Sequence, residues 1–351
     1  MKKLSVVYYT DERYIVPTCT SALSLIEHNS NVYIHFWLFC DDFEEWKQES
    51  KCVVEALKQK ESCKVNIMAT QSLKEKCDFY KLPIYKGAQG VFLKMFMCDL
   101  IPDMGCNILF LDSDTLVTDS LEELAEYVFP EGCSCAAMID TMNNKYMKRM
   151  LHMNESSTFF CQATFLVNPI LWKSLDCDKK IDMWIKKIAQ TGRTSEVMQC
   201  IVNEQGVLSK ALEKQCAILP AKYMVLPGNS VLQHKYRRLL FGMQVSDYYL
   251  DKDIDTANEN PAIVHYMHYI VPKPWKHDGL NKYEERWTNI YIRVKGHEIF
   301  PITQWKMNCE EKIKRQLLLR SQFLFAMMGH LFLKKNLKKS ISYCDSLDIF
   351  N

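Results

Sequence analysis

Apolar and polar positions along this chain follow two rhythms, and the switches between them mark out its elements. Residues 4–9 form a short apolar run that reads as a buried strand. From residue 17 to 28 apolar side chains return at helical spacing, with Pro17 in the first turn. Residues 32–39 read as a second strand, 44–60 as a helix with a charged face, and 64–68 as a third strand. Strand and helix alternating in this order predict parallel strands joined by helical crossovers. Residues 91–100 read as a helix and 102–105 as a turn. Residues 107–111 read as a fourth strand, apolar throughout as a central parallel strand should be. Strands over 136–139, 159–167 and 262–266 follow, with helices over 178–190 and 195–212. Between 220 and 261 the pattern weakens and predicts irregular chain, and no internal repeat is visible.

Composition narrows the class. The 351 residues are 48% hydrophobic and 25% charged, which predicts a sizeable core. A formal charge of +2 argues against nucleic acid as a partner. Neither a G-x-x-x-x-G-K-[ST] nor a G-x-G-x-x-G phosphate loop occurs. The 15 cysteines are odd in number, and several, such as Cys40, Cys98, Cys106 and Cys161, sit in apolar runs. That usage predicts free thiols in a reducing compartment. Cys133 and Cys135 lack a second ligand pair at zinc spacing. The apolar run behind Met1-Lys2-Lys3 is too short for a signal-peptide core or an anchor, so a cytoplasmic location is expected.

In open α/β sheets ligands bind beyond the carboxyl ends of the strands. Asp11, the Asp112/Asp114 pair and Asp140 all fall at such ends. Asp112 and Asp114 flank Ser113 directly behind the fourth strand, where alternation turns residues i and i+2 to one side. Two converging carboxylates repel unless a cation neutralises them. Mg²⁺ or Mn²⁺ with diphosphate oxygens suits such a pair, whereas an aspartate turn capping the next element is the plain structural alternative. Further on, His265 ends an apolar strand and Lys273-Pro274-Trp275 follows, the lysine being a mobile charge suited to phosphate.

An early acidic strand end, a mid-chain L-D-x-D and a late H-(x)n-K-P-W, in that order, resemble the retaining family-8 glycosyltransferases over residues 4–278. That family includes a bacterial lipooligosaccharide galactosyltransferase and glycogenin. The resemblance implies a GT-A-like, Rossmann-type mixed sheet flanked by helices over residues 1–300, with a helical extension over 301–351. It implies that Tyr9 and Asp11 lie at the nucleotide, Asp11 near the uracil. Lys94 stands where a basic residue, commonly Arg, faces the phosphates and sugar. Asp112, Ser113 and Asp114 form the D-x-D, and His265 is the third metal ligand. Asp140, Glu204 and Gln205 flank the transferred sugar, and Lys273 grips the diphosphate.

The departures fall on the sugar and phosphate side. Where the family reads Phe-Asn-Ala-Gly, this chain has Phe160-Cys161-Gln162-Ala163, which puts Cys161 and Gln162 at donor-contacting positions. Glu204 replaces an aspartate. The stretch from His265 to Lys273 is two residues longer than the family pattern, with His268 in place of glycine as a rival ligand. The expected cofactors are Mn²⁺ or Mg²⁺, with a UDP-sugar as donor and a glycan or glycoprotein as acceptor. The expected reaction is front-face transfer with retention; double displacement through Glu204 or Asp140 is the alternative. Two other classes compete: a metal-dependent nucleotidyltransferase, which would need a Gly-rich loop, and a non-catalytic sugar-binding protein, which the altered 160–163 strand favours. Finally, apolar residues over 317–333 followed by Lys334, Lys335, Lys338 and Lys339 suit either an anionic membrane surface or a helix packed on the domain.

Overall fold

The computed structural model describes residues 2–350 except Lys86, Asp103, His268 and Tyr269. Three strands and their crossovers open the chain: β1 (Lys2–Thr10), β2 (Val32–Cys40) and β3 (Cys63–Ala69). Then come β4 (Ile108–Leu111), β5 (Thr115–Val117), β6 (Cys135–Ile139), β7 (Phe160–Val167), β8 (Cys216–Ile218) and β9 (Ile263–His265). Two short strands, β10 (Lys276–His277) and β11 (Thr303–Gln304), pair parallel to each other.

Seven of these strands make one sheet in the order β3-β2-β1-β4-β7-β6-β8. The β1–β2, β2–β3 and β1–β4 pairs are parallel, whereas β7 runs antiparallel to both β4 and β6. The sheet is therefore the mixed α/β arrangement that the sequence resemblance implied. Its faces follow from strand alternation. Leu4, Val6, Tyr8, Leu109 and Leu111 enter one buried layer, under the Ile15–His28 helix. Val7, Ile108 and Phe110 enter the other, with the Leu93–Leu100 and Cys177–Gln190 helices. Strand order reverses beside β1: the chain leaves outward to β2 and β3, then returns to form β4 on the other flank. Such a switch point splays the loops at the strand ends and leaves a crevice there.

A separate two-stranded ribbon, β5 antiparallel to β9, stands at this crevice. Its register pairs Thr115 with His265 and Val117 with Ile263. That pairing carries a residue from late in the chain to the end of β4.

Two expectations are corrected. Residues 195–212 form two helices, Thr194–Cys200 and Glu204–Ala211, separated where Val202 and Asn203 adopt φ of 64° and 54°. The second helix turns back tightly: a Cβ on Gly206 would stand 2.3 Å from the Ile201 carbonyl oxygen. Residues 220–261 are not irregular; they include the helices His234–Phe241 and Asp251–Glu259. Gly242, at φ 64°, stops the first of these. Both helices are short and rich in charge, which blurred their period. The chain ends in the helices Cys309–Arg320 and Gln322–Ser346.

Candidate functional site

The turn after β4 is fixed on two sides. Asp112 N–H donates to the Ala163 carbonyl on β7 at 3.0 Å, and Ser113 Oγ donates to the Tyr9 carbonyl on β1 at 2.6 Å. The β5–β9 register then brings His265 alongside, and Tyr266 N–H donates to the Asp114 carbonyl at 2.8 Å. Three donor atoms of Asp112, Asp114 and His265 consequently lie within 4.8 Å of one another. The imidazole Nε2 stands 3.4 Å from Asp114 Oδ1 and 3.7 Å from Asp112 Oδ2. Metal–ligand bonds of about 2.1 Å place neighbouring donors at most about 4.2 Å apart, so a small contraction would close this cluster on a divalent cation. Two carboxylates and one imidazole are a donor set that a divalent cation accepts.

Two lysines balance the acids. Lys94 is 5% exposed, with Nζ 3.0 Å from Asp112 Oδ1, 3.6 Å from Glu204 Oε1 and 4.7 Å from the centre of the Phe110 ring. Burial favours loss of its proton, but Asp112 and Glu204 outweigh this and hold its pKa above the usual lysine range. Lys273 Nζ lies 2.7 Å from Asp114 Oδ2 and 3.0 Å from the Tyr14 hydroxyl, and it too is held above the usual range, against its burial, by those groups. Burial would raise the Asp114 carboxyl, yet Lys273 and His265 pull it far below the ordinary carboxylate value. Glu204 behaves oppositely. Burial and the nearby Asp112 charge push it up to about 7, and Lys94 offsets only part of that.

On the far side of Lys94 sits a second group. Asp140, just beyond β6, accepts from Met142 N–H at 2.6 Å, and burial raises its pKa. The Gln205 amide and Cys161 thiol lie beside its carboxylate. Gln205 Nε2 is nevertheless buried with no acceptor in hydrogen-bonding geometry. Alternation along β7 turns Cys161 toward Asp140, Asp112 and Lys94. Gln162 is 1% exposed and donates to the Phe160 carbonyl at 3.0 Å, so the structure does not bring it to the cluster with Cys161.

The crevice widens past Tyr9 into a cavity of about 580 Å³ lined by Tyr9, Asp11, Asp41, Trp46, Lys74 and Gln89 among others. Asp11 there accepts from Tyr14 N–H at 2.9 Å and from Arg13. Tyr9 donates its hydroxyl to Asp41 Oδ2 at 2.5 Å. Burial would raise the Asp41 carboxyl, but Thr70, Tyr9 and Lys74 hold it below its ordinary value. Asp41 and Tyr14 carry no role in the sequence reading. Asp41 follows β2 as Asp11 follows β1, which was the available signal. His268, the rival ligand, lies outside the described residues.

This chain resembles several known proteins. It is 22% identical over 289 residues to glycosyltransferase GlyB of Streptococcus pneumoniae serotype 4, covering 82% of this chain and 61% of that protein. It is 24% identical over 280 residues to the lipopolysaccharide 1,3-galactosyltransferase of Salmonella typhimurium, covering 78% and 73% respectively. Among solved structures, galactosyltransferase LgtC in complex with donor and acceptor sugar analogs superposes with a TM-score of 0.62 at 18% identity, over 88% of this chain and 99% of that one. Mouse xyloside xylosyltransferase 1 does so with a TM-score of 0.53 at 13% identity, over 75% and 97%. The profile of glycosyl transferase family 8 matches residues 5–279, a span that includes every site residue named above, and the chain belongs to that family.

Proposed function

We propose that this protein is a retaining glycosyltransferase that moves a hexose from a UDP-sugar to a saccharide or protein acceptor with the help of Mn²⁺. One observation carries the reading: Asp112, Asp114 and His265 converge at the strand ends with Lys94 and Lys273 against them. Bound there, the cation would supply Lewis-acid stabilisation of the departing diphosphate. Lys273 and Lys94, both held cationic, add fixed positive charge for the same anion. The carboxylates of Asp11 and Asp41 offer acceptors to ribose hydroxyls and base N–H groups in the adjoining cavity. Asp140, Gln205, Glu204 and Cys161 line the place for the sugar. The buried Gln205 amide, beside the Asp140 carboxylate, offers a donor to a sugar hydroxyl or to the attacked face.

Mn²⁺ titration by calorimetry in the presence of UDP tests this. Wild type binds both together, and His265→Ala loses Mn²⁺-dependent UDP binding while retaining its thermal unfolding transition. Wild-type affinity in His265→Ala overturns the three-ligand site. A panel of UDP-hexoses, scored by metal-dependent hydrolysis, identifies the donor. Replacing Cys161 by Asn is expected to change the ranking of that panel, because a hydrogen-bonding side chain discriminates hydroxyl patterns that a thiol does not.

A further inference from the structure

The last rung of the β6–β8 ladder is not closed directly. Leu219 N–H donates to the Ala137 carbonyl at 2.9 Å, the final ordinary rung. In a parallel ladder the same Leu219 would take the Ile139 N–H on its own carbonyl. Instead, Ile139 N–H donates to the Tyr249 hydroxyl at 3.1 Å, and that hydroxyl donates to the Leu219 carbonyl at 2.8 Å. The phenol is inserted into the rung and holds the two strand ends apart. The next residue is Asp140.

The segment carrying Tyr249 is itself pinned around this strand end. Asn143 Nδ2 donates to the Asp247 carbonyl at 2.6 Å, Asn144 Nδ2 donates to the Phe241 carbonyl at 3.0 Å, and Lys148 Nζ lies 3.4 Å from Asp247 Oδ1. On the other flank Asp140 N–H donates to the Phe159 carbonyl at 3.2 Å. The main chain around Asp140 is thus held from β7 on one side and by Tyr249 on the other, while its Oδ1 is held by Met142 N–H.

We propose that Tyr249 is a positioning residue for sugar transfer, acting through Asp140: its hydroxyl splays β6 from β8 and thereby sets where the Asp140 carboxylate stands. This rests on the reading of Asp140 as a residue beside the transferred sugar. Without the hydroxyl, Ile139 N–H can reach the Leu219 carbonyl, and the strand end closes toward β8. A displacement of roughly 1 Å at a reacting centre costs up to about 100-fold in rate. The metal cluster hangs from β4, β5 and β9, not from β6, so nucleotide and metal binding are left unchanged.

The test compares wild type, Tyr249→Phe, Asp140→Asn and the double variant, with UDP-galactose and UDP-glucose as probes. Tyr249→Phe is expected to lower kcat for metal-dependent hydrolysis about 10- to 100-fold, with KM and the calorimetric affinity for Mn²⁺ and UDP unchanged. The double variant is expected to be no slower than Asp140→Asn, because both changes act at one carboxylate. Full kcat in Tyr249→Phe, or losses that multiply in the double variant, overturns the proposal. A wild type that binds no UDP with Mn²⁺ overturns the parent reading, and this one with it. A wild type that binds but shows no rate loss in Asp140→Asn removes Asp140 from the reaction and leaves the metal site standing.

Discussion

Glu204 gives a pH signature that can be read without knowing the substrate. Its carboxyl is pushed up to about 7 from an ordinary 4.5. A raised acid pKa means that the folded state holds the proton more tightly than the unfolded one. Between pH 4.5 and 7 the folded protein therefore binds more protons, and the stability contributed by this group falls as pH rises through that window. Glu204→Gln removes the titration. In metal-free buffer its stability relative to wild type is expected to rise from pH 4.5 to 7 by at most roughly 3 kcal/mol, and to stay level above that. Denaturant melts of both proteins at several pH values check this, and a difference independent of pH sinks it. At this scale the sequence was most legible for groups whose role is set by the local chain. Asp112 and Asp114 follow an apolar strand and could do little but converge. Gln162 was misplaced because strand alternation decides which neighbour faces the site, and the irregular register between β6 and β7 near Ala136 and Met138 is not written in residue types.

Elements place the site through close approaches that allow no side chain. A Cβ on Gly90 would stand 2.1 Å from the ring carbon Cδ1 of Tyr9. The backbone at Gly90, which opens the short turn Gly90–Phe92, therefore lies against that ring, whose hydroxyl is bonded to Asp41. Gly90→Ala must displace Tyr9, with an overpacking cost of about 1–3 kcal/mol. The expected result is weaker UDP binding with the Asp112, Asp114 and His265 cluster intact; unchanged UDP affinity in calorimetry would count against a nucleotide in the Tyr9 cavity. Periodicity made β1, β2 and β4 readable, because central strands covered on both faces are continuous apolar runs, and it caught β3, at the sheet edge, by the apolar alternation of Val65 and Ile67. It could not read β5 and β8, each three residues long, nor the break at Val202 and Asn203. The break is a tertiary fact. It exists because the Glu204–Ala211 helix must turn to bring Glu204 and Gln205 to Lys94 and Asp140, and only Gly206 betrays it in the sequence.

At the scale of the molecule, the carboxyl-terminal helix bears on two readings that the sequence left open, a membrane surface and a helix packed on the domain. Gln322–Ser346 packs on the body of the protein. Gln322 donates to the Val231 carbonyl at 2.8 Å, and a Cβ on Gly329 would stand 2.2 Å from Leu240 Cδ1. Ala326, Leu337, Ile341 and Cys344 are buried on that side. The opposite side is apolar in its first half: Phe323, Leu324, Met328, Leu331 and Phe332 are 41–69% exposed. Lys335, Lys338 and Lys339 stand exposed in its second half. No helix among the described residues is long and apolar enough to cross a membrane. A docked helix with an outward apolar patch next to lysines suits adsorption to an anionic bilayer, each lysine adding about 1 kcal/mol at the surface. We therefore expect the full-length protein to float with vesicles containing phosphatidylserine and to be released by high salt. The double change Leu331→Glu and Phe332→Glu should abolish flotation while leaving Mn²⁺-dependent UDP binding intact, because neither residue lines the crevice at the strand ends. Equal flotation of this variant, or no flotation of wild type, would assign the exposed face to something other than a lipid surface.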